Sequence, residues 1–305
     1  MSPVEPSSAE MSPAGMSPVG MSPAGTATPP RVRSRSPRLL RSELRLLFGR
    51  RRNQVLLVVL AMVPVLVGVA IRVSSAEVEP GAGPPFIDRV SGNGLFLAFT
   101  ALAAVVPFLL PLAIGVVAGD AGAGEAQAGT LRYLLTVPVS RARVLLVKYG
   151  ALVAYGCVAA LTVALTGLAV GVALFPTGDV TLLSGTTIPA LSAVLRALLV
   201  AAYVAVSLAG LSAVGLAVST FTEVPVAAMA TTVVLAITSQ LLGAIPQLEW
   251  LHPVLFSHHW LAFGDLLRDP VPTGTLLDGV LLQVAWVAVA LAVAWSRFTT
   301  KDVTS

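Results

Sequence analysis

Six apolar stretches dominate this chain, at 54–73, 95–118, 144–174, 190–218, 225–245 and 278–296. Each is close to or above the roughly 20 residues that a helix needs to cross the hydrocarbon core of a bilayer. In that core every backbone N–H and C=O must be satisfied within the protein, so stretches of this kind fold as helices. The third and fourth are long enough to tilt or to project beyond the membrane. Hydrophobic residues make up 56% of the sequence and charged residues 11%, where a soluble domain carries about 25% charge. That excludes an ordinary globular enzyme. It also excludes a disordered or nucleic-acid-wrapping chain, despite the net charge of +4. The expectation is an all-α integral membrane protein with six transmembrane helices.

The basic residues set the orientation, because Lys and Arg collect in cytoplasmic connections. Nine arginines lie between Arg31 and Arg52, and Arg132, Arg141, Arg143 and Lys148 lie in or beside the 119–143 connection. With the N-terminus inside, these and Arg297 and Lys301 are cytoplasmic. Of the 19 basic residues, Arg72, Arg89, Arg196 and Arg268 then remain outside. Both termini are expected in the cytoplasm. The Arg, Ala, Val and Gly bias is that of a GC-rich bacterial genome, which places the chain in a bacterial plasma membrane. The loop at 74–94, with Glu77, Glu79 and Asp88, and the long 246–277 connection are expected outside.

Residues 1–37 differ from all that follows. Met1, Met11, Met16 and Met21 each begin Met-Ser-Pro, and a segment so rich in Pro, Ser and Gly cannot bury enough surface to fold. It reads as a disordered cytoplasmic tail without the basic-then-apolar order of a signal peptide, ahead of a membrane domain at 38–305. That domain opens with a basic amphipathic segment. Leu40, Leu44, Leu47 and Phe48 fall on one helical stripe, with Arg38, Arg41 and Arg45 outside it, although Glu43 interrupts the apolar arc. Such a helix lies at a membrane surface, and each arginine that reaches anionic headgroups contributes about 1 kcal/mol.

Catalytic patterns fail one by one. No phosphate-cradling G-x-x-x-x-G-K-[ST] loop is present. Gly210-Leu-Ser212-Ala-Val-Gly215 is one residue too long for a nucleophile elbow, and it reads as helix interior. Its small residues, like Gly115/Gly119 and Gly167/Gly171, suit close helix approach. His252, His258 and His259 lack the i, i+4 spacing that puts two ligands on one helix face. They lie among Trp250, Phe256, Trp260 and Phe263, which suggests anchoring at the membrane interface. The single Cys157 excludes an intrachain disulfide. Arg196 is the ionisable residue nearest mid-span, and its side chain is long enough to snorkel outward.

The 119–148 stretch carries an ordered signature: Glu125, Gly129, Thr130, Leu131, the pair Leu134 and Leu135, Pro138, Val139, Ser140, Arg141 and Lys148. Here the chain resembles the permease subunits of ATP-binding cassette exporters of the second type, and the likeness extends over roughly 38–305. It implies that 38–52 is a connecting helix and that 125–141 couples to a soluble ATPase. It implies that 246–277 forms two short helices dipping back toward the membrane between spans 5 and 6. It also implies a second permease copy or a sister permease as partner. ATP and magnesium are expected on the ATPase, with no cofactor on this chain and no nucleic acid. Within the signature, Pro138 would end one short helix and Ser140 would cap the next, leaving Arg141, Arg143 and Lys148 to acidic partners or phosphates. A membrane-embedded enzyme or an ion-coupled carrier is the alternative, and it predicts a nucleophile, metal set or carboxylate at mid-span.

Overall fold

The computed structural model describes residues 36–77, 85–127 and 140–300. The Met-Ser-Pro repeats and the signature residues Gly129, Thr130, Leu131, Leu134, Leu135 and Pro138 lie outside them. Helix α1 (Ser36–Gly49) leads into α2 (Arg51–Glu77), followed by α3 (Pro85–Gly92), α4 (Phe96–Val105) and α5 (Leu109–Gln127). After the next described residue, Ser140, come α6 (Arg141–Leu174), α7 (Ala190–Ser207), α8 (Ala209–Phe221), α9 (Pro225–Gly243) and α10 (Thr273–Thr300). Among the described residues five helical stretches are long and apolar enough to cross a membrane, and a bent pair brings the number to six.

That bent pair is α4 and α5, which meet at 55° and together replace the continuous 95–118 span expected from hydropathy. Two prolines account for the break. Pro111 has no N–H, so the carbonyl of Pro107 loses its helical donor four residues on. Gln240 on α9 supplies the missing donor from its Nε2. The fourth span is also broken, at Leu208 between α7 and α8, where the backbone turns to φ −93°, ψ −1°. The Gly210 N–H beside this break donates to Gln283 Oε1 at 3.1 Å, and Gln283 Nε2 donates to the Phe256 carbonyl at 2.7 Å. Gln283 is 2% exposed. One amide therefore ties α8, α10 and the 255–272 segment together.

Small residues set the helix spacing. A methyl on Gly119 would lie 2.5 Å from the Met229 nitrogen, so α5 and α9 touch backbone to backbone there. Gly167 on α6 meets Ala98 on α4 in the same way, at 2.7 Å from its Cα. These contacts identify the partner helices that the glycine spacing alone leaves open. By contrast α2 turns Val55, Val59, Met62, Leu66 and Val69 outward, the apolar face that lipid contact requires.

At the end of the bundle away from α1, the loops are built rather than extended. Residues 180–181 and 187–188 form a minimal antiparallel pair, β1 (Val180–Thr181) with β2 (Thr187–Ile188), turned by Gly185 at φ +86°. This strand pair is an addition to the all-α expectation. The 246–277 stretch does hold two short helices, both of 3-10 type, Pro246–Val254 and Ala262–Leu267. Arg196 donates from one guanidinium nitrogen to the carbonyls of Leu266 and Arg268, at 2.8 and 2.9 Å. Its reach toward that end, expected as snorkelling, is therefore spent on the last carbonyls of a 3-10 helix.

Candidate functional site

The stretch singled out by the signature is bounded by the last turns of α5 and the first turns of α6, and α1 packs against both neighbours α2 and α6. On α1 the residues turned inward are Leu39, Leu40, Glu43, Leu44, Leu47 and Phe48, while Arg38, Arg41 and Arg45 face out. The amphipathic stripe is thus the expected one, with Glu43 included in it. Its apolar part seats against the protein itself: Phe48 lies 5.8 Å from the Tyr155 ring on α6, and Leu47 and Phe48 join the main core.

Glu43 faces inward because Lys148 does too. Lys148 Nζ lies 3.2 Å from Glu43 Oε1, with the lysine side chain 7% and the glutamate 20% exposed. This corrects the expectation that Lys148 is left to an outside partner: it is buried and paired within the chain. A second clamp lies beside it. The Asp120 carboxylate on α5 pairs with Arg50, and with Arg52 at 2.9 Å. Its side chain is 12% exposed, whereas both arginines remain half exposed. Two charge clusters therefore join the α1–α2 corner to α5 and α6, the helices that flank residues 128–139.

The corner itself is closed by amides. A helix leaves its last carbonyls without partners, and here Asn53 Nδ2 donates to the Leu47 carbonyl at 2.8 Å while Gln54 Nε2 donates to that of Phe48 at 2.9 Å. Tyr155 donates its hydroxyl to the Asn53 carbonyl at 3.2 Å. Sequence reasoning missed Asp120, Asn53 and the partner of Glu43. The available signals were an acid inside an apolar arc and two amides directly after an arginine run.

The remaining signature residues divide. Glu125 lies in α5, which runs to Gln127, so the connection is shorter than the expected 119–143. Ser140 occupies the N-cap position of α6 with extended backbone, and its carbonyl accepts from Arg143 and Val144. Its hydroxyl makes no capping bond, in contrast to the expected side-chain cap. Arg141 begins α6, and its side chain and that of Glu125 lie outside the described parts.

Residues 47–239 match the family model described as ABC-2 family transporter protein. The chain belongs to this family. No curated protein matches it. The match makes the chain an ABC-2 permease, a multi-pass membrane protein, and it covers both charge clusters except Glu43.

The histidines of this permease sit at the other end of the bundle. The His252 and His258 rings are 5.8 Å apart and those of His258 and His259 4.5 Å. Among the described residues no group of three His, Cys, Asp or Glu side chains is placed to hold a metal ion. The aromatic neighbours depart from the interfacial expectation. Trp260, Phe256 and Phe263 are buried in the protein, at 1%, 6% and 4% exposed, and only Trp250, at 75%, stands out. Burial and the positive charge that His259 and His252 add on protonation hold the His258 imidazole below its ordinary value.

Proposed function

We propose that this permease is the membrane half of an ATP-driven exporter, non-catalytic itself and powered by a separate ATPase. A second copy or a sister permease completes the pathway. The observation that carries the reading is the family match over 47–239 together with the Glu125–Lys148 signature. The positive-inside bias puts α1, residues 128–139 and both termini in the cytoplasm of a bacterial cell. Residues 125–141 then dock on the ATPase, with Gly129, Thr130, Leu131, Leu134, Leu135, Pro138 and Arg141 as its contacts.

The charge clusters suit that role. A displacement applied between α5 and α6 reaches α1 and α2 through Asp120 and Lys148, because removing one partner of such a pair leaves a poorly solvated charge. The corner then moves with the coupling segment as one body. Hydrolysis changes the tilt between the two permeases, and the pathway between them opens outward.

Co-purification tests the reading. Arg141→Glu and Gly129→Trp are expected to accumulate in the membrane as the wild type does, yet lose the ATPase or substrate export. Arg268→Gln, at the opposite end, is the control and keeps both. Retention of the ATPase and full export by both coupling variants would reduce 128–139 to a plain loop. Turnover or transport by the isolated chain would favour the enzyme or ion-coupled carrier instead.

A further inference from the structure

A break in a membrane-spanning helix frees backbone groups, and hydrocarbon offers them no partner. Among the described residues three spans pose this problem, and two of them keep it inside the bundle. Pro64 in α2 releases the carbonyl of Leu60, a residue 2% exposed. At Leu208 the Gly210 N–H turns to the buried Gln283. The α4–α5 break differs. Gln240 serves the Pro107 carbonyl, but the oxygens of Ala103 and Ala104 are left over. A helical carbonyl points along the axis at the residue four positions on. For Ala103 that residue is Pro107, which has no N–H. For Ala104 it is Phe108, in the turn that separates the two helices. Among the described residues no donor reaches either oxygen.

Both alanines are exposed, and a methyl group shields little of the backbone behind it. Phe108, four positions on from Ala104 and so on the same side, is 63% exposed. Depth makes this exposure informative. Helix α4 starts beside the 175–179 connection, where the Gly94 N–H donates to the Pro176 carbonyl at 2.9 Å. Its 10 residues then rise about 15 Å, half of the hydrocarbon core. Irregular backbone is not left facing lipid at that depth; protein or water covers it. We infer that the outward side of the α4–α5 break lines a water-filled cavity, with the Ala103 and Ala104 carbonyls as its binding groups at mid-membrane. Carbonyl oxygens accept hydrogen bonds and never donate them. The patch therefore takes hydrogen-bond donors and cations and disfavours anions. On the transport reading, on which this last step rests, the cavity belongs to the pathway, and a cargo passes it with hydroxyl, amide or ammonium groups turned to the break.

Thiol labelling of the full chain in native membrane fragments, open on both sides, tests it. Cys157→Ala leaves a chain without cysteine. Into it go single substitutions, Ala103→Cys, Ala104→Cys and, as the lipid-facing control, Leu66→Cys on α2, where Leu66 is 62% exposed. Membrane accumulation equal to that of the Cys157→Ala parent shows that each variant is folded. A thiol reacts as its thiolate, which forms in water and not in hydrocarbon. The probes are two membrane-impermeant methanethiosulfonates, one carrying a trimethylammonium group and the other a sulfonate. Ala103→Cys and Ala104→Cys are expected to react with the cationic probe at least about tenfold faster than Leu66→Cys does, and faster than with the anionic probe. Labelling as slow as that of Leu66→Cys at both alanine positions overturns the water-filled cavity. Cross-linking of two copies through these cysteines without labelling places the break in a protein interface and overturns it as well. An anionic probe that reacts as fast as the cationic one overturns the preference for donors. No ATPase takes part in the labelling, so its failure is distinct from a failure of the co-purification test.

Discussion

Glu43 and Lys148 meet at 3.2 Å across 105 residues of sequence, the glutamate on the inward stripe of α1 and the lysine near the start of α6. An acid on an apolar arc is a defect only while its partner is unknown. Paired, it fixes the register in which α1 lies on α6, since a shift of one residue would carry Glu43 about 100° away from the lysine.

The pair predicts a specific pattern of stabilities. Lys148→Met strands Glu43, and Glu43→Gln strands a lysine only 7% exposed. Each single change is expected to cost about 3 kcal/mol. The double variant Glu43→Gln with Lys148→Met should recover most of that loss, because neither charge remains to be stranded. Thermal melting of the four purified proteins gives the coupling. Losses that simply add would mean that the two side chains do not act on each other.

Gly119 makes a steric prediction. With the Met229 nitrogen 2.5 Å from where a Cβ would sit, the clash is with backbone and has no rotamer to relieve it. Gly119→Val should push α5 from α9 and cost more than the about 1–3 kcal/mol typical of overpacking. Gly92→Ala, with nothing within 4 Å of its Cβ position, should be close to neutral. Membrane accumulation of the two variants, compared at equal transcript level, decides it.

These examples show which features local pattern reveals. The stripe Leu40, Leu44, Leu47 and Phe48 repeats at the helical period, so α1 was legible from residues a few positions apart. The spans were legible because burial in lipid demands long apolar runs. The break between α4 and α5 was readable too, in Pro107 and Pro111, but an averaged hydropathy smooths over two prolines. Gln240 and Gln283 were harder. An amide barely dents the hydropathy of its run, and its role is set by a carbonyl or N–H freed in another helix. The same holds for Asp120, whose position near a span end looked ordinary until Arg50 and Arg52 were placed beside it. Pattern finds elements; long-range polar partners need the fold.

Gln283 carries the next prediction. Gln283→Leu removes the acceptor of the Gly210 N–H and the donor to the Phe256 carbonyl together. Two buried backbone groups then lack partners, at about 1–3 kcal/mol each. The expected result is a lower melting temperature, with faster hydrogen exchange concentrated at 208–212 and 255–258. An unchanged exchange pattern would show that the break in the fourth span is held by packing alone.

The last prediction concerns acid. Protonation of His258 is disfavoured in the folded protein, first by its partial burial and then by His259 and His252. An unfolded chain has no such neighbours and takes up the proton near 6.5, the ordinary histidine value. Between that value and the lower folded one, the unfolded state binds more protons, so stability rises with pH across the window. The contribution is complete above about pH 6.5 and is lost as the pH falls through the folded value. The side chain is largely exposed, so solvent screens its neighbours and the effect is small. Under the orientation proposed above it responds to the outer solution. His258→Gln should flatten the decline of melting temperature between about pH 7 and pH 5 while leaving the value at pH 7 almost unchanged. If wild type and variant decline in parallel, the acid sensitivity belongs to groups other than His258.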